Sequence, residues 1–272
     1  MLRDVQIEML KIAKEVKRVC DENGIQYFLD SGTLLGAVRH KGFIPWDDDL
    51  DIGMMREEYD RFMEVAPSCL SSNYYLQTWD TDSGYPMPFA KVRKKGTVYL
   101  EAVAQYSRAG YELYVDIFPY DVYPSEKTQR IAQGMKLEFY KNILLMQCHY
   151  APWNGKRSLL ARIKSRMLYL PFMILSALFK RETIKRKYND TMRLYNRHPT
   201  KYVYENGGAS RYGKWVMPME CFESFIPLPF EDSSFSAPVG WDMYLKSAYG
   251  DYMTPPPEGK RENRHNILDV KL

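Results

Sequence analysis

Ile44-Pro45-Trp46-Asp47-Asp48-Asp49-Leu50-Asp51-Ile52 is the stretch from which the rest of the chain is read. Four acids stand in five positions. Two unit charges 4 Å apart repel by about 4 kcal/mol at an effective dielectric of ~20, so such a run is either a solvated acidic turn or a cation site. In Asp49-Leu50-Asp51-Ile52-Gly53-Met54 the side chains alternate, as along a strand. Leu50, Ile52 and Met54 face one way, and Asp49 and Asp51 the other. The two carboxylates then stand roughly 7 Å apart along the strand, close enough to bridge two metal ions ~3.5–4 Å apart. Oxygen-only ligands favour magnesium, with manganese as the alternative, over zinc.

Working outward, Pro45-Trp46-Asp47 breaks the chain before this strand. Ile25–Leu29 reads as a short buried strand, Asp30-Ser31-Gly32 as a turn, and Thr33–Val38 as a short helix. Ahead of them Val5, Met9, Ile12, Val16 and Val19 form one apolar helical stripe, stopped by Asn23-Gly24. Downstream, residues 56–66 read as a helix, and 88–93 with 97–101 as a hairpin around Lys94-Lys95-Gly96. Leu113–Phe118 alternates again, with Tyr114, Asp116 and Phe118 on one face and Pro119 ending the strand.

Asp116 is thus a third carboxylate on the polar side of an apolar strand. Ser31-Gly32, between a strand and a helix, offers a hydroxyl, close backbone approach and free N–H groups to a phosphate. In isolation it is a common helix cap. The order strand, Ser-Gly, helix, Asp-x-Asp strand, single-Asp strand resembles the nucleotidyltransferase fold of the polymerase-β type. The fold class expected is therefore α/β (α+β), a mixed sheet core with a mainly helical insertion and a C-terminal segment packed on the core. The divisions expected are 1–125 for the catalytic core, 126–200 for the insertion and 201–272 for the segment that completes it.

The wording resembles one family more closely. Ser31-Gly32-Thr33-Leu34-Leu35-Gly36-Ala37-Val38-Arg39-His40, then Gly42-Phe43-Ile44-Pro45-Trp46 and the acidic run, is similar to the LicD family of phosphotransferases, related to fukutin and fukutin-related protein. Lys91-Val92-Arg93 with Thr97, Val115-Asp116-Ile117-Phe118-Pro119 with Asp121, and Tyr249-Gly250-Asp251-Tyr252 extend the match. The resemblance implies transfer of phosphocholine, or another phospho-alcohol, from a CDP-activated donor such as CDP-choline to a hydroxyl of a cell-surface glycan precursor, of the lipopolysaccharide or teichoic acid kind, with release of CMP. It implies metal roles for Asp49 and Asp51, with Asp47 as a further ligand or supporting acid and Asp116 as the third carboxylate. Asp49, Asp51 and Asp116 are the expected catalytic residues. Ser31, Gly32, Thr33, Arg39, Lys91 and Arg93 are the expected phosphate and nucleotide contacts. Trp46 and Tyr114 lie beside the carboxylates and are candidate faces for a quaternary ammonium. His40 is a candidate for orienting the site, and Arg261, Arg264 and His265 for covering it. Two other functions fit the same residues: a nucleotidyltransferase adding NMP to a small hydroxyl acceptor, or an inactive glycan-assembly scaffold.

Composition sets the outer limits. The 272 residues are 45% hydrophobic and 26% charged, near the globular average, which excludes wholesale disorder, collagen-like repeats and a polytopic membrane protein. A chain this long buries roughly 75% of its unfolded surface. Cys20, Cys69, Cys148 and Cys221 form no CxxC and suggest neither zinc nor a disulfide framework. The N-terminus lacks the apolar core of a signal peptide, so a cytoplasmic location is expected. The net charge of +4 is too small to argue for nucleic acid, but it is uneven: residues 156–187 hold ten bases and one acid. Within them Met167–Phe179 is apolar except for Ser176 and is interrupted by Pro171. It reads either as a core helix or as an interfacial helix on anionic lipid, which would place the protein peripherally on the inner face of the membrane, near a lipid-linked acceptor.

Overall fold

The computed structural model describes residues 1–156, 158–198, 200–208, 212–261 and 265–272; Arg264 lies outside them. Helix α1 (Leu2–Asn23) buries Val5, Met9, Ile12, Val16 and Val19 and ends where Gly24, at φ 59°, returns its N–H to the last turn. Strand β1 is only Phe28–Leu29. The expected start at Ile25 fails because the neighbouring N–H groups are already engaged. Ile25 donates to the Cys20 carbonyl at 2.9 Å and Gln26 to the Glu58 carboxylate at 2.9 Å. Helix α2 (Ser31–His40) takes in the whole Ser-Gly pair, with Asp30 as its cap.

Strand β2 (Asp51–Met55) and helix α3 (Arg56–Cys69) follow, then β3 (Tyr74–Gln77), β4 (Ala90–Lys94), β5 (Val98–Glu101) and the nine-residue β6 (Tyr114–Val122). The principal sheet runs β1-β2-β6-β4-β3. β2 and β6 are parallel, while β4 lies antiparallel to both β6 and β3. The chain is therefore a mixed α/β fold. Leu50, Ile52 and Met54 are buried and Asp49 and Asp51 are half-buried on the other face, as alternation requires.

Two expectations about strands are corrected. The segments around Lys94-Lys95-Gly96 are strands but not a hairpin. Gly96, at φ 80°, turns the chain out of the sheet, and the Thr97 hydroxyl ties the turn by donating to Lys94 O at 2.7 Å and accepting the Leu113 N–H at 2.9 Å. β5 pairs instead with β11 (Ile267–Lys271), at the far end of the chain. Pro119 does not end β6. Its carbonyl faces the Asn206 N–H, so its proline nitrogen faces the same edge. There β4 has stopped at Ile117 and β7 (Tyr202–Glu205) begins only at Tyr120. A missing N–H costs nothing in that gap.

From residue 127 the chain is mainly helical: α4 (Lys127–Gln147), α5 (Leu159–Ser176) and α6 (Arg181–Met192). Pro171 does not interrupt α5; it stands on an exposed side of the helix, where solvent can take the carbonyl that loses its partner. Leu137, Leu144, Ile184, Tyr188 and Met192 form a separate small core that meets the sheet through Tyr204 of β7. β8 (Val216–Pro218) adds beyond β7. A hairpin of β9 (Phe225–Phe230) and β10 (Ser233–Pro238) and helix α7 (Trp241–Tyr249) then pack back on β1, α2 and the main core.

Candidate active site

The starts of β2 and β6 open into a cavity of about 770 Å³ floored by carboxylates and walled on one side by α4, α5 and the segment between them. Its geometry follows from strand register. Asp51 is the register partner of Asp116 across the parallel pair, and Asp116 that of Lys91 on β4. Three adjacent strands thus place two acids and one base in a single row. Lys91 Nζ lies 2.7 Å from Asp116 Oδ1 and 3.2 Å from the centre of the Tyr114 ring. The Thr33 hydroxyl accepts the Asp51 N–H at 2.9 Å and pins the row to α2.

Asp47 stands over the start of α2. A Cβ on Gly32 would come within 2.9 Å of Asp47 Oδ2, so glycine alone lets this carboxylate approach so closely. Ser31, at φ 45°, gives its N–H to Asp30 Oδ1 at 2.7 Å and to the Tyr244 hydroxyl at 3.2 Å. Asp30 is buried and also accepts the hydroxyls of Tyr120 and Tyr244. The Ser31 N–H is therefore already held, and its hydroxyl lies 3.4 Å from Asp30 Oδ1, while Ser31 and Gly32 both line the cavity wall.

The expected residues fall into two groups. Ser31, Gly32, Arg39, Trp46, Asp47, Asp49, Asp51, Lys91, Tyr114, Asp116 and His265 all line the cavity. Thr33 and Arg93 do not line it. Thr33 is buried with its hydroxyl on Asp51. Arg93 is buried against the Tyr114 ring, donating to Gln77 Oε1 at 2.6 Å and to the Glu112 carbonyl. Two further contacts alter the reading of the aromatics. Tyr114 already carries Lys91, and Trp46 carries the Arg261 guanidinium at 5.2 Å. Arg39 holds the C-terminal turn through Tyr252 O at 2.9 Å and touches His40 Nε2 at 2.9 Å.

Glu101 and Glu205 also line the cavity and were not expected. Glu205 precedes Gly207-Gly208, where a Cβ on Gly208 would meet Glu205 Oε1 at 2.0 Å; that glycine pair is the one trace of it in the sequence. Asp48 is the remaining acid of the run. It is buried, with Oδ1 3.1 Å from His265 Nδ1. Burial opposes a charge on His265, but Asp48, Glu101 and Asp49 outweigh it and lift its pKa to about 10.

The acids outnumber the bases, and the electrostatics show it. Burial, then Asp49 and Asp116, pushes Asp51 well above the usual carboxylate range. Burial, then Asp30 and Asp116, does the same to Glu205. Converging, under-neutralised carboxylates fit a divalent cation. One group of ligand atoms, from Asp48, Asp49 and His265, already lies within 4.8 Å of one another and can hold a metal ion. This trio shares Asp49 with the expected set and adds Asp48 and His265 beside it.

A mixed sheet that brings acids from neighbouring strands to a helix start, in one deep cavity able to take a cation, defines the class of protein. The comparisons make it particular. The family profile described as "LicD/FKTN/FKRP, nucleotidyltransferase domain" matches residues 24–157. The lipopolysaccharide cholinephosphotransferase LicD of Haemophilus influenzae is 32% identical over 270 residues, covering 97% of this chain and 96% of that protein. The human ribitol 5-phosphate transferase FKRP is 32% identical over 114 residues, 40% of this chain and 19% of that protein. The chain belongs to the LicD family.

Proposed function

We propose that the protein transfers phosphocholine, or a related phospho-alcohol, from a CDP-activated donor to a hydroxyl of a lipid-linked cell-surface glycan precursor at the cytoplasmic side of the membrane, releasing CMP. The observation that carries this reading is the in-register row of Asp51, Asp116 and Lys91 on the cavity floor. Near full-length similarity to a cholinephosphotransferase supports choline as the alcohol. The core is read as nucleotidyltransferase-like, of the polymerase-β type, with the divisions 1–125, 126–200 and 201–272.

Magnesium or manganese would be held by Asp49 and Asp51 with Asp116, Asp47 supporting from α2. When bound, the cation supplies charge neutralisation for the donor's diphosphate. The chain's own groups do the rest. The start of α2, opened by Gly32, and the Ser31 hydroxyl face the donor phosphates. Arg39 adds a positive charge from the cavity wall, and Lys91 limits the repulsion between Asp116 and an incoming phosphate. The acceptor oxygen attacks the phosphorus that carries the alcohol. The bond from that phosphorus to the oxygen of CMP breaks, and the acceptor's proton passes to Asp116 or Asp51. Tyr150, Tyr169 and Phe89 form an apolar wall that limits water as a competing acceptor.

The test is CMP release from CDP-choline beside CDP-ribitol, CDP-glycerol and CTP, with magnesium and with EDTA. Metal-dependent CMP from one CDP-alcohol is expected. Pyrophosphate release from CTP with NMP left on the acceptor would replace this reading by nucleotidyl transfer.

A further inference from the structure

Helix α5 lies within the basic stretch of the chain. None of its side chains is buried. It rests on a narrow seam in which Tyr169 and Phe172 meet Trp153 and Phe139. Much of the rest of its surface is apolar and open: Leu159, Ile163, Met167, Leu168 and Ile174 project outward, Leu168 71% and Ile174 65% exposed. A contiguous apolar face of this kind is rare on a soluble monomer and marks an interaction surface.

Charge identifies the occupant. α5 contains no acid, and Lys164 and Arg166 are exposed on it, as are Lys156 and Lys180 just beyond its ends. Apolar side chains set among cations match the boundary of an anionic bilayer, where chains bury into the acyl edge and bases meet the headgroups. A second copy of α5 would instead oppose like charges. Among the described residues no helix is long and apolar enough to cross a membrane, so α5 can lie in the surface but not span it.

We propose that α5 is a membrane-docking helix that seats the protein on anionic lipid. Tyr169, on the inner side of the same helix, lines the cavity, so docking brings that wall of the cavity to the lipid surface. The inference rests on the proposed function only for its purpose, which is access to a lipid-linked acceptor.

Co-sedimentation with vesicles of phosphatidylglycerol and phosphatidylcholine, against phosphatidylcholine alone, tests it. The wild type is expected to pellet with the anionic vesicles and to be released by high salt. The double variant Leu168→Glu/Ile174→Glu is expected to lose about tenfold or more in partitioning, and Lys164→Glu/Lys180→Glu to lose its preference for anionic lipid. All should retain the wild-type Tm and CMP release from a soluble donor. Wild type that stays in solution, a double variant that pellets equally, or a wild-type dimer dispersed by Leu168→Glu/Ile174→Glu would overturn the proposal. A failure of CMP release in wild type would count against the transferase reading and leave the vesicle result standing.

Discussion

Asp51 sits where burial and the charges of Asp49 and Asp116 all oppose its ionisation. Replacing it separates function from stability. Asp51→Asn is expected to lower CMP release on the order of 10³-fold, while raising the Tm of metal-free protein at pH 7, because the cost of holding a buried acid beside Asp49 and Asp116 is gone. A fall in both would mean that the carboxylate is structural. Asp121 is the opposite kind of acid. Burial opposes its charge, but Arg56 overrides this with bonds of 2.8 and 2.5 Å, and Asn196 and Asn206 add donors at 2.6 and 2.7 Å. Its pKa is held below the ordinary value, so its contribution is complete above about pH 3.9 and is lost as pH falls through the depressed value. Asp121→Asn leaves the buried Arg56 with only the more distant Asp60, at 3.8 Å, as a charge partner, and about 3–5 kcal/mol of stability should go at pH 7. Urea unfolding should show that difference shrinking toward pH 3. The sequence places Asp121 in a family motif and says nothing of this role, because Arg56, Asn196 and Asn206 come from three separate segments.

β2 and β6 were legible as strands because alternation is local: Asp49–Met54 and Leu113–Phe118 each declare two faces. Their adjacency is recorded instead in the close fit of one element on another. A Cβ on Gly53 would come within 2.3 Å of the Phe28 ring on β1. That ring is hemmed in by Tyr120, Phe222 and Phe225 and has little room to yield. Gly53→Ala is therefore expected to cost about 1–3 kcal/mol by overpacking, read as a lower urea midpoint with an unchanged slope. The false hairpin at 88–101 shows the limit of local reading, since β5 finds its partner more than 160 residues later in β11. Pro119 shows another: the rule that proline ends a strand holds only where its nitrogen faces a partner.

At the scale of the whole molecule the site is assembled from distant parts of the chain. The acidic run and Ser31-Gly32 were readable because they are dense and local. Glu205 and the pairing of His265 with Asp48 were not, because the residues that give them meaning lie far away in sequence. Removing residues 258–272 takes away His265 and the partner of β5, the strand that carries Glu101. CMP release should fall to background while the helical circular dichroism signal persists. Full activity in the truncated protein would separate the C-terminus from the site. The central claim is the identity of the group that moves. It is tested most directly by incubating the protein with CDP-choline, magnesium and a lipid-linked glycan, then weighing the acceptor and counting the CMP. The account predicts that the acceptor gains phosphocholine, with one CMP released for each. An acceptor carrying a cytidylyl group, or CMP formed with no change in the acceptor, would contradict it.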